Sequence, residues 1–174
     1  MFYITTYPSP VGLLTLASDG TSLCGLWLEG QKYFGGSILK SASSETLRKE
    51  LPVFSRTSDW LDRYFSGKKP LPSELPLAPA GGEFRKLVWE FLCEIPYGEV
   101  TTYGALAKKA AAKLGRSSMS SQAIGGAVGH NPISIIIPCH RVVGSNGSLT
   151  GYAGGLDVKR ALLELEGLDL SRFK

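Results

Sequence analysis

The sequence predicts an α/β protein with two domains, a strand-and-helix domain over residues 1–80 and a mainly helical domain over residues 81–174. Segments rich in β-formers and separated by turn residues fill the first thirty positions. Beyond residue 82, apolar side chains recur at helical spacing instead. Between the two regions, residues 67–82 (GKKPLPSELPLAPAGG) are rich in proline and glycine, as is typical of a domain boundary.

The composition is that of a globular protein, with 43% apolar and 20% charged residues. A net charge of +4 suits a polyanionic partner without identifying one. The three cysteines are widely spaced and only two histidines are present, so we expect no metal site and no cofactor. Free thiols indicate a reducing compartment, and the sequence shows neither a signal peptide nor a membrane-spanning run. We therefore expect a cytoplasmic monomer with no membrane partner.

Strands dominate the start of the first domain. A β-rich segment covers residues 2–7, and Pro8-Ser9-Pro10 is expected to end it. Residues 11–18 and 23–29 predict two further strands, joined by an Asp19-Gly20 hairpin turn.

Helical spacing first appears in residues 44–65. Pro52 interrupts this stretch, so the sequence predicts either two helices or one helix preceded by a loop. The second domain opens with residues 83–95, whose apolar side chains share one face of a helix. Pro96-Tyr97-Gly98 then ends that helix.

Two further helices are predicted to form a helix-turn-helix. Thr101 or Thr102 can cap the first, and Gly115 suits the left-handed residue that ends it. Ser117 or Ser118 can cap the second, which runs to about residue 128. A short turn containing glycine between two helices is typical of this motif, although many such pairs bind no DNA.

The second of these helices consists mostly of small residues, over 117–127 (SSMSSQAIGGA). It lacks the arginine, lysine and asparagine side chains that read the major groove. A small-residue face allows close approach of a backbone, which suits a minor groove. The alternative is tight packing on a neighbouring helix or strand.

A short apolar strand is predicted over residues 133–137, and a last helix over residues 156–167. Pro138 is expected to force the chain out of the strand, which places Cys139 at a defined turn. A thiol reacts as the thiolate, and His140 and Arg141 could lower its pKa. A neighbouring imidazole can also take the proton, directly or through a water.

A third group should orient that imidazole, and Glu166 on the last helix is the candidate. A cysteine after an apolar strand can equally be a small buried hydrophobe, and we expect Cys24 and Cys93 to be structural in this way.

The residues around the thiol resemble a known family. Asn131-Pro132, followed by residues 137–143 (IPCHRVV), is similar to the active-site signature of the O6-alkylguanine-DNA alkyltransferases, the methylated-DNA–protein-cysteine methyltransferases. Residues 84–168 match this family closely and in order, whereas residues 9–14 (SPVGLL) match more loosely. Further segments that resemble the family are 96–104 (PYGEVTTYG), 123–127 (AIGGA), 152–156 (YAGGL) with Lys159, and 163–167 (LELEG).

The resemblance implies a ribonuclease-H-like N-terminal domain without catalytic residues and a winged-helix-like DNA-binding C-terminal domain. It implies that Cys139 accepts a methyl or larger alkyl group from O6 of guanine in double-stranded DNA, irreversibly and once per molecule. His140 would act as base through a water, with Glu166 holding it and Asn131 bracing the turn. Because the alkyl carbon lies inside the base stack, the guanine must be extruded.

The resemblance also assigns roles around the guanine. Tyr103 would donate a proton to the departing base and help to displace it, and Lys159 would stabilise the leaving group. The loop over residues 148–155 would wall the pocket. Pocket contacts are expected from Pro138, Val142, Tyr152, Ala153 and Gly154, and contacts to the minor groove from Thr102, Arg116, Ser117, Gln122, Ala123 and Gly125.

Two positions depart from the family pattern. Gln122 stands where the family has an arginine that fills the space of the flipped base. This difference predicts a weaker affinity for DNA, a weaker salt dependence of binding or less efficient base flipping. Arg116 could compensate in part by reaching a phosphate. Ala153 replaces a serine found in many relatives, at the expense of one pocket hydrogen bond.

Two other functions fit parts of the sequence. A non-catalytic binder of alkylated DNA would share the resemblance, but such relatives lack the acceptor cysteine, and Cys139 is present. A thiol hydrolase using Cys139 and His140 would need an oxyanion hole and turnover. The sequence offers no clear set of oxyanion donors for it.

Overall fold

The computed structural model describes residues 2–36, 38 and 51–174, which form two compact units. The first unit comprises Met1–Ala80 together with Pro132–Ile136. The second comprises Gly81–Asn131 and Ile137–Lys174. The segment 132–136, which the sequence analysis assigned to the second domain, is thus part of the first unit.

The first unit contains an antiparallel sheet of three strands in sequence order, β1 (Tyr3–Ser9), β2 (Gly12–Ser18) and β3 (Leu23–Leu28). The three predicted strands are confirmed, with one correction. Pro8 does not end β1 but lies opposite Leu13 in the ladder. It is tolerated because β1 is an edge strand, where a missing N–H costs little.

The outer edge of β3 is covered by two short segments. Leu23 N donates to Pro76 O at 2.8 Å, and Leu26 N donates to Pro132 O at 2.8 Å. The strand predicted over residues 133–137 is wrong, because after one bridge between Ile133 and Leu26 the chain turns sharply. Ile136 N donates to Ser134 O at 2.8 Å across Ile135, whose φ is +72°. The apolar run therefore reflects complete burial in a turn and not pairing in a ladder.

Helix α1 (Pro52–Phe65) packs against the sheet. Pro52 begins the helix, a position where its missing N–H is not needed. Residues 44–50 of the predicted helical stretch lie outside the described residues. The helix buries Val53, Phe54, Thr57, Trp60, Leu61 and Tyr64.

The second unit is mainly helical, as predicted. Its elements are α2 (Glu83–Cys93), β4 (Thr101–Thr102), α3 (Tyr103–Lys113), α4 (Ser121–Gly129), β5 (Val142–Val143) and α5 (Leu156–Leu165). Thr102 caps α3 through its Oγ1, which accepts from Ala105 N at 3.0 Å. Helix α4 starts later than predicted, because Ser120 caps it instead of Ser117 or Ser118. Across residues 2–36, 38 and 51–174, no helix has the length and apolarity needed to cross a membrane.

Helix α5 also differs from its prediction. It ends at Leu165 instead of residue 167, and the apolar side chains of Leu156 and Leu165 are exposed. The charged Lys159 is buried in their place.

Candidate active site

Cys139 occupies a rigid turn. The backbone of Pro138 has φ −82° and ψ 66°, and Cys139 N donates to Ile137 O at 2.8 Å, which together define an inverse γ-turn. The same carbonyl accepts a second bond, at 2.8 Å, from Nδ2 of Asn131. Residues Cys139–Arg141 continue as one 3-10 turn. The position of the thiol is therefore fixed from both sides of Pro138.

The surroundings of Cys139 both oppose and favour its ionisation. Burial raises the pKa of the thiol, while a hydrogen bond from Asn131, the charge of Lys159 and a hydrogen bond from Tyr152 lower it. Arg141, which the sequence suggested as an activating cation, is not among these groups. The thiol is 5% exposed and forms no disulfide. Before reaction the thiol is protonated, and the groups that stabilise its thiolate form are already next to it.

Arg141 instead pairs with Glu166. Its Nε and Nη2 donate to the two carboxylate oxygens at 2.8 and 3.2 Å. Its Nη1 donates to Ile95 O at 2.7 Å. Gly98 N adds a further bond to Glu166 at 3.0 Å. A Cβ on Gly98 would lie 3.1 Å from Glu166 O, and its φ is +80°, so this approach requires glycine.

His140 lies on the other side of the same carboxylate. Its Nε2 is 2.6 Å from Oε2 of Glu166, and both side chains are fully buried. Burial lowers the pKa of His140, so the imidazole is neutral. Burial also raises the pKa of Glu166, but the bonds from His140 and Arg141 outweigh it and bring that pKa to about 2. Sequence reasoning paired Glu166 with His140 and missed Arg141 and Gly98.

Lys159 binds three backbone carbonyls from inside the unit. Its Nζ donates to Val142 O at 2.6 Å, Thr150 O at 3.1 Å and Gly151 O at 3.3 Å. Burial lowers the pKa of Lys159 to about 8, against an opposing contribution from Cys139. The ammonium therefore ties the loop at 150–151 to β5 and acts on the thiol through its charge.

Tyr103 is the first residue of α3 and follows directly on β4. Parallel pairing of Thr101 with Val142 and of Thr102 with Val143 brings this helix start beside the Cys139 turn. Burial raises the pKa of the phenol, a hydrogen bond with Thr150 lowers it, and Cys139 raises it. The phenol is thus neutral and within electrostatic reach of the thiol.

The remaining predicted residues fall into two groups. The pocket residues Pro138 and Val142 are buried, whereas Tyr152, Ala153 and Gly154 are half-buried in the loop that Lys159 holds. Arg116, Ser117, Gln122 and Ala123 are exposed at the start of α4 and in the loop before it, while Thr102 and Gly125 are half-buried.

The glycines of α4 are not explained by packing within the protein. Among residues 2–36, 38 and 51–174, a Cβ added at Gly125, Gly126 or Gly129 would meet no atom within 4 Å. The alternative of tight packing on a neighbouring element is therefore wrong for these three residues. Their face of the helix is open to an approaching surface.

Comparison with known proteins confirms the family resemblance. The family model for the DNA binding domain of 6-O-methylguanine DNA methyltransferase matches residues 83–168, and the model for its ribonuclease-like domain matches residues 2–79. The methylated-DNA–protein-cysteine methyltransferase of Haemophilus influenzae is 45% identical over 94% of this chain and 86% of its own length. The protein of the same name from Methanosarcina acetivorans is 44% identical over 95% of this chain and 98% of its own.

A solved structure agrees with these relatives. The crystal structure of Mycobacterium tuberculosis OGT in complex with DNA superposes with a TM-score of 0.78 at 40% identity, covering 98% of this chain and 94% of that one. With both family models matched in order and relatives similar along nearly the whole length, the chain belongs to the 6-O-methylguanine DNA methyltransferase family.

Proposed function

We propose that Cys139 accepts a methyl or larger alkyl group from O6 of guanine in DNA, once per molecule. The family establishes a DNA-binding methyltransferase of DNA repair. The observation that carries the residue assignment is the setting of Cys139, a free thiol in a fixed turn with Asn131, Tyr152 and Lys159 each lowering its pKa. Burial raises the pKa of Cys93 as well, to about 11, and the nearby carboxylate of Glu90 raises it further instead of lowering it.

His140 is the base in this proposal. Glu166 is ionised and can only accept, so Nε2 of His140 donates to it and Nδ1 is the basic nitrogen. The thiol proton passes to Nδ1 through a water. Sγ then attacks the alkyl carbon, the bond from that carbon to O6 breaks, and its electron pair stays on the guanine.

Tyr103 completes the proton balance. Its neutral phenol protonates the departing guanine and is reprotonated from His140, so that the thiol proton ends on the base. Lys159 supports the step by lowering the pKa of Cys139. Its three hydrogen bonds to carbonyls favour this electrostatic role over direct contact with the leaving group.

The product is a thioether on Cys139, which has no easy route back to a thiol, so each molecule acts once. All the proposed catalytic side chains come from one chain, which is why we propose that the monomer is active. Because the acceptor must stay a reduced thiol, we place the protein in a reducing compartment, the cytoplasm.

The DNA contacts are proposed to come from α3 and α4 acting as a helix-turn-helix. The open, small-residue face of α4 supports insertion into the minor groove of duplex DNA. Gln122 projects from the first turn of α4 and is exposed, which supports a role in filling the space of the extruded guanine. Extrusion costs about a few kcal/mol, which contacts of this kind must offset.

Mass spectrometry of the protein mixed with a duplex containing O6-methylguanine tests the proposal. We expect one methyl group per chain, located on the Cys139 peptide. Cys139→Ser should gain none, whereas the matched variant Cys93→Ser should be methylated like the wild type. Methylation of Cys139→Ser, or none of the wild type despite DNA binding, would refute the assignment.

A further inference from the structure

The segment Asp169–Lys174, here called the tail segment, is bonded to the base of the pocket loop. Lys174 N donates to Gly147 O at 3.0 Å, and Leu149 N donates to Lys174 O at 3.3 Å. These residues lie beyond the 83–168 match to the family model.

Side chains reinforce the backbone pairing. Leu149 is 3% exposed and forms a buried cluster with Val143 and Leu163. Leu170 and Phe173 of the tail segment pack against this cluster. The tail segment thus backs the pocket loop with apolar contacts as well as hydrogen bonds.

The loop itself has little intrinsic stiffness. Gly147 has a φ of +79° and Gly151 a φ of +43°, and a Cβ on Gly147 would lie 3.4 Å from Arg172 O of the tail segment. Glycine-rich segments lose the most conformational freedom on ordering, so their position depends on external contacts. Here those contacts are Lys159 on one side and the tail segment on the other.

Leu149, which the tail segment contacts, lies only three positions before Tyr152, a group that acts on the pKa of the thiol. Leu149 is followed by Thr150 and Gly151, whose carbonyl oxygens both accept from Nζ of Lys159. Tyr152 comes next, and it is one of the groups that lower the pKa of the Cys139 thiol. A displacement at Leu149 therefore moves the wall of the proposed pocket.

We propose that the tail segment is a positioning element that fixes the pocket loop and thereby sets the size of alkyl group that Cys139 accepts. The inference rests on the proposed alkyl transfer. Transfer of a methyl group needs a close-fitting wall to align a small carbon with Sγ. A bulky group needs room instead, so a loosened wall affects the two unequally.

The test compares transfer rates to Cys139 from duplexes containing O6-methylguanine and O6-benzylguanine. In Phe173→Ala we expect methyl transfer to slow by about tenfold, the effect of a misplacement of less than about 1 Å. Benzyl transfer should slow less, so the benzyl-to-methyl ratio rises. Hydrogen exchange at Leu149 N should be faster, because its acceptor belongs to the released segment.

Two variants separate positioning from loss of packing. Val100 packs on the same buried cluster from outside the tail segment, so Val100→Ala should keep the wild-type ratio. Phe173→Leu retains an apolar contact and should restore the ratio towards the wild-type value. If Phe173→Ala does not fold, Leu170→Ala removes another apolar contact of the tail segment and should raise the benzyl-to-methyl ratio in the same way.

The outcomes are distinct. An unchanged ratio in Phe173→Ala overturns the inference, whether or not exchange at Leu149 N changes. The inference is also overturned if Val100→Ala changes the ratio as much as Phe173→Ala does. If the wild type transfers neither group, the proposed function itself fails. If the wild type transfers alkyl groups but Phe173→Ala leaves the benzyl-to-methyl ratio unchanged, only the inference about the tail segment fails.

Discussion

Glu166 lies 2.6 Å from Nε2 of His140, and the same carboxylate binds the guanidinium of Arg141. One acidic side chain thus contacts both residues that follow Cys139. It sets the tautomer of the imidazole and balances the charge of the arginine, in a place closed to solvent. The orientation of the His140 imidazole and the stability of the fold around it therefore both depend on Glu166.

Glu166→Gln is expected to be strongly destabilising, because it leaves Arg141 as a buried charge without a counter-ion. Breaking a buried ion pair costs about 3–5 kcal/mol, measurable by urea denaturation at pH 7. Alkyl transfer should fall by about 100-fold or more, since the imidazole loses the acceptor that orients it. Glu164→Gln, at an exposed site in the last turn of α5, is the control and should match the wild type.

The contribution of Glu166 to stability should disappear in acid. Its pKa in the folded protein is about 2, below the ordinary value of 4.5. A carboxyl whose pKa is lower in the folded than in the unfolded protein stabilises the fold at pH values above its unfolded pKa. This stabilisation is lost as the pH falls towards its folded pKa. The difference in unfolding free energy between wild type and Glu166→Gln should therefore shrink from pH 4.5 to 2. A constant difference across that window would contradict the ion pair.

Lys159 should impose an upper limit on the pH range of alkyl transfer. Its pKa is lowered to about 8, and the titratable groups that act on it or feel its charge are Cys139 and His140. Above pH 8 the ammonium loses the charge that lowers the pKa of the thiol. The wild-type rate, which rises with thiol ionisation, should turn over near pH 8, whereas Lys159→Met should be slower and rise continuously.

The same group should act on stability in the opposite sense. Between pH 8 and 10.5 the unfolded chain binds the lysine proton more tightly than the folded one, so this contribution to stability increases with pH. Rate and stability measured over one pH series therefore separate a local titration of Lys159 from general unfolding. A parallel fall of both would rule out the local explanation.

Gln122→Arg should strengthen DNA binding and make it more sensitive to salt. An added cation at this exposed position releases about one more counterion, so the slope of log K against log salt should steepen by about 0.9. Gln122→Met has similar length without charge and should leave the slope unchanged. Equal slopes in all three proteins would mean that this side chain does not reach the DNA.

Gly126→Ala should separate stability from DNA binding. The new methyl group meets no atom within 4 Å in the part of the chain that the structure describes, so the helix should gain up to about 1 kcal/mol of stability. If the α4 face enters a minor groove, the same methyl group should weaken binding to duplex DNA. Higher stability with unchanged affinity would place the DNA elsewhere.

Local patterns in the sequence predicted most of the second unit. Helix α2 and the cap of α3 depend on spacing and capping within a few residues. The helix was predicted correctly, and Thr102 is one of the two capping residues that the sequence offered. The proposed nucleophile, Cys139, also lies in a contiguous motif, so it could be proposed from the sequence alone. Burial alone, by contrast, does not distinguish a strand from a turn, and this is why residues 133–137 were assigned wrongly.

Partners distant in sequence were not predictable. Arg141 meets a carboxylate 25 positions away, and the sequence alone offered only its neighbour Cys139 as a target. Lys159 has the spacing of an apolar residue on α5, yet three backbone carbonyls make its burial possible. Those carbonyls are chain atoms that carry no signature in the sequence.

The assignment of residues 132–136 to the first unit has a consequence during protein synthesis. Residues 1–80 leave the ribosome before the segment that covers the outer edge of β3 has been made. At about 5–20 residues per second, the remaining 52 residues up to position 132 take roughly 3–10 s. During that interval Leu26 N and Leu26 O lack their final partners, so this strand edge is open to chaperones or to another nascent chain.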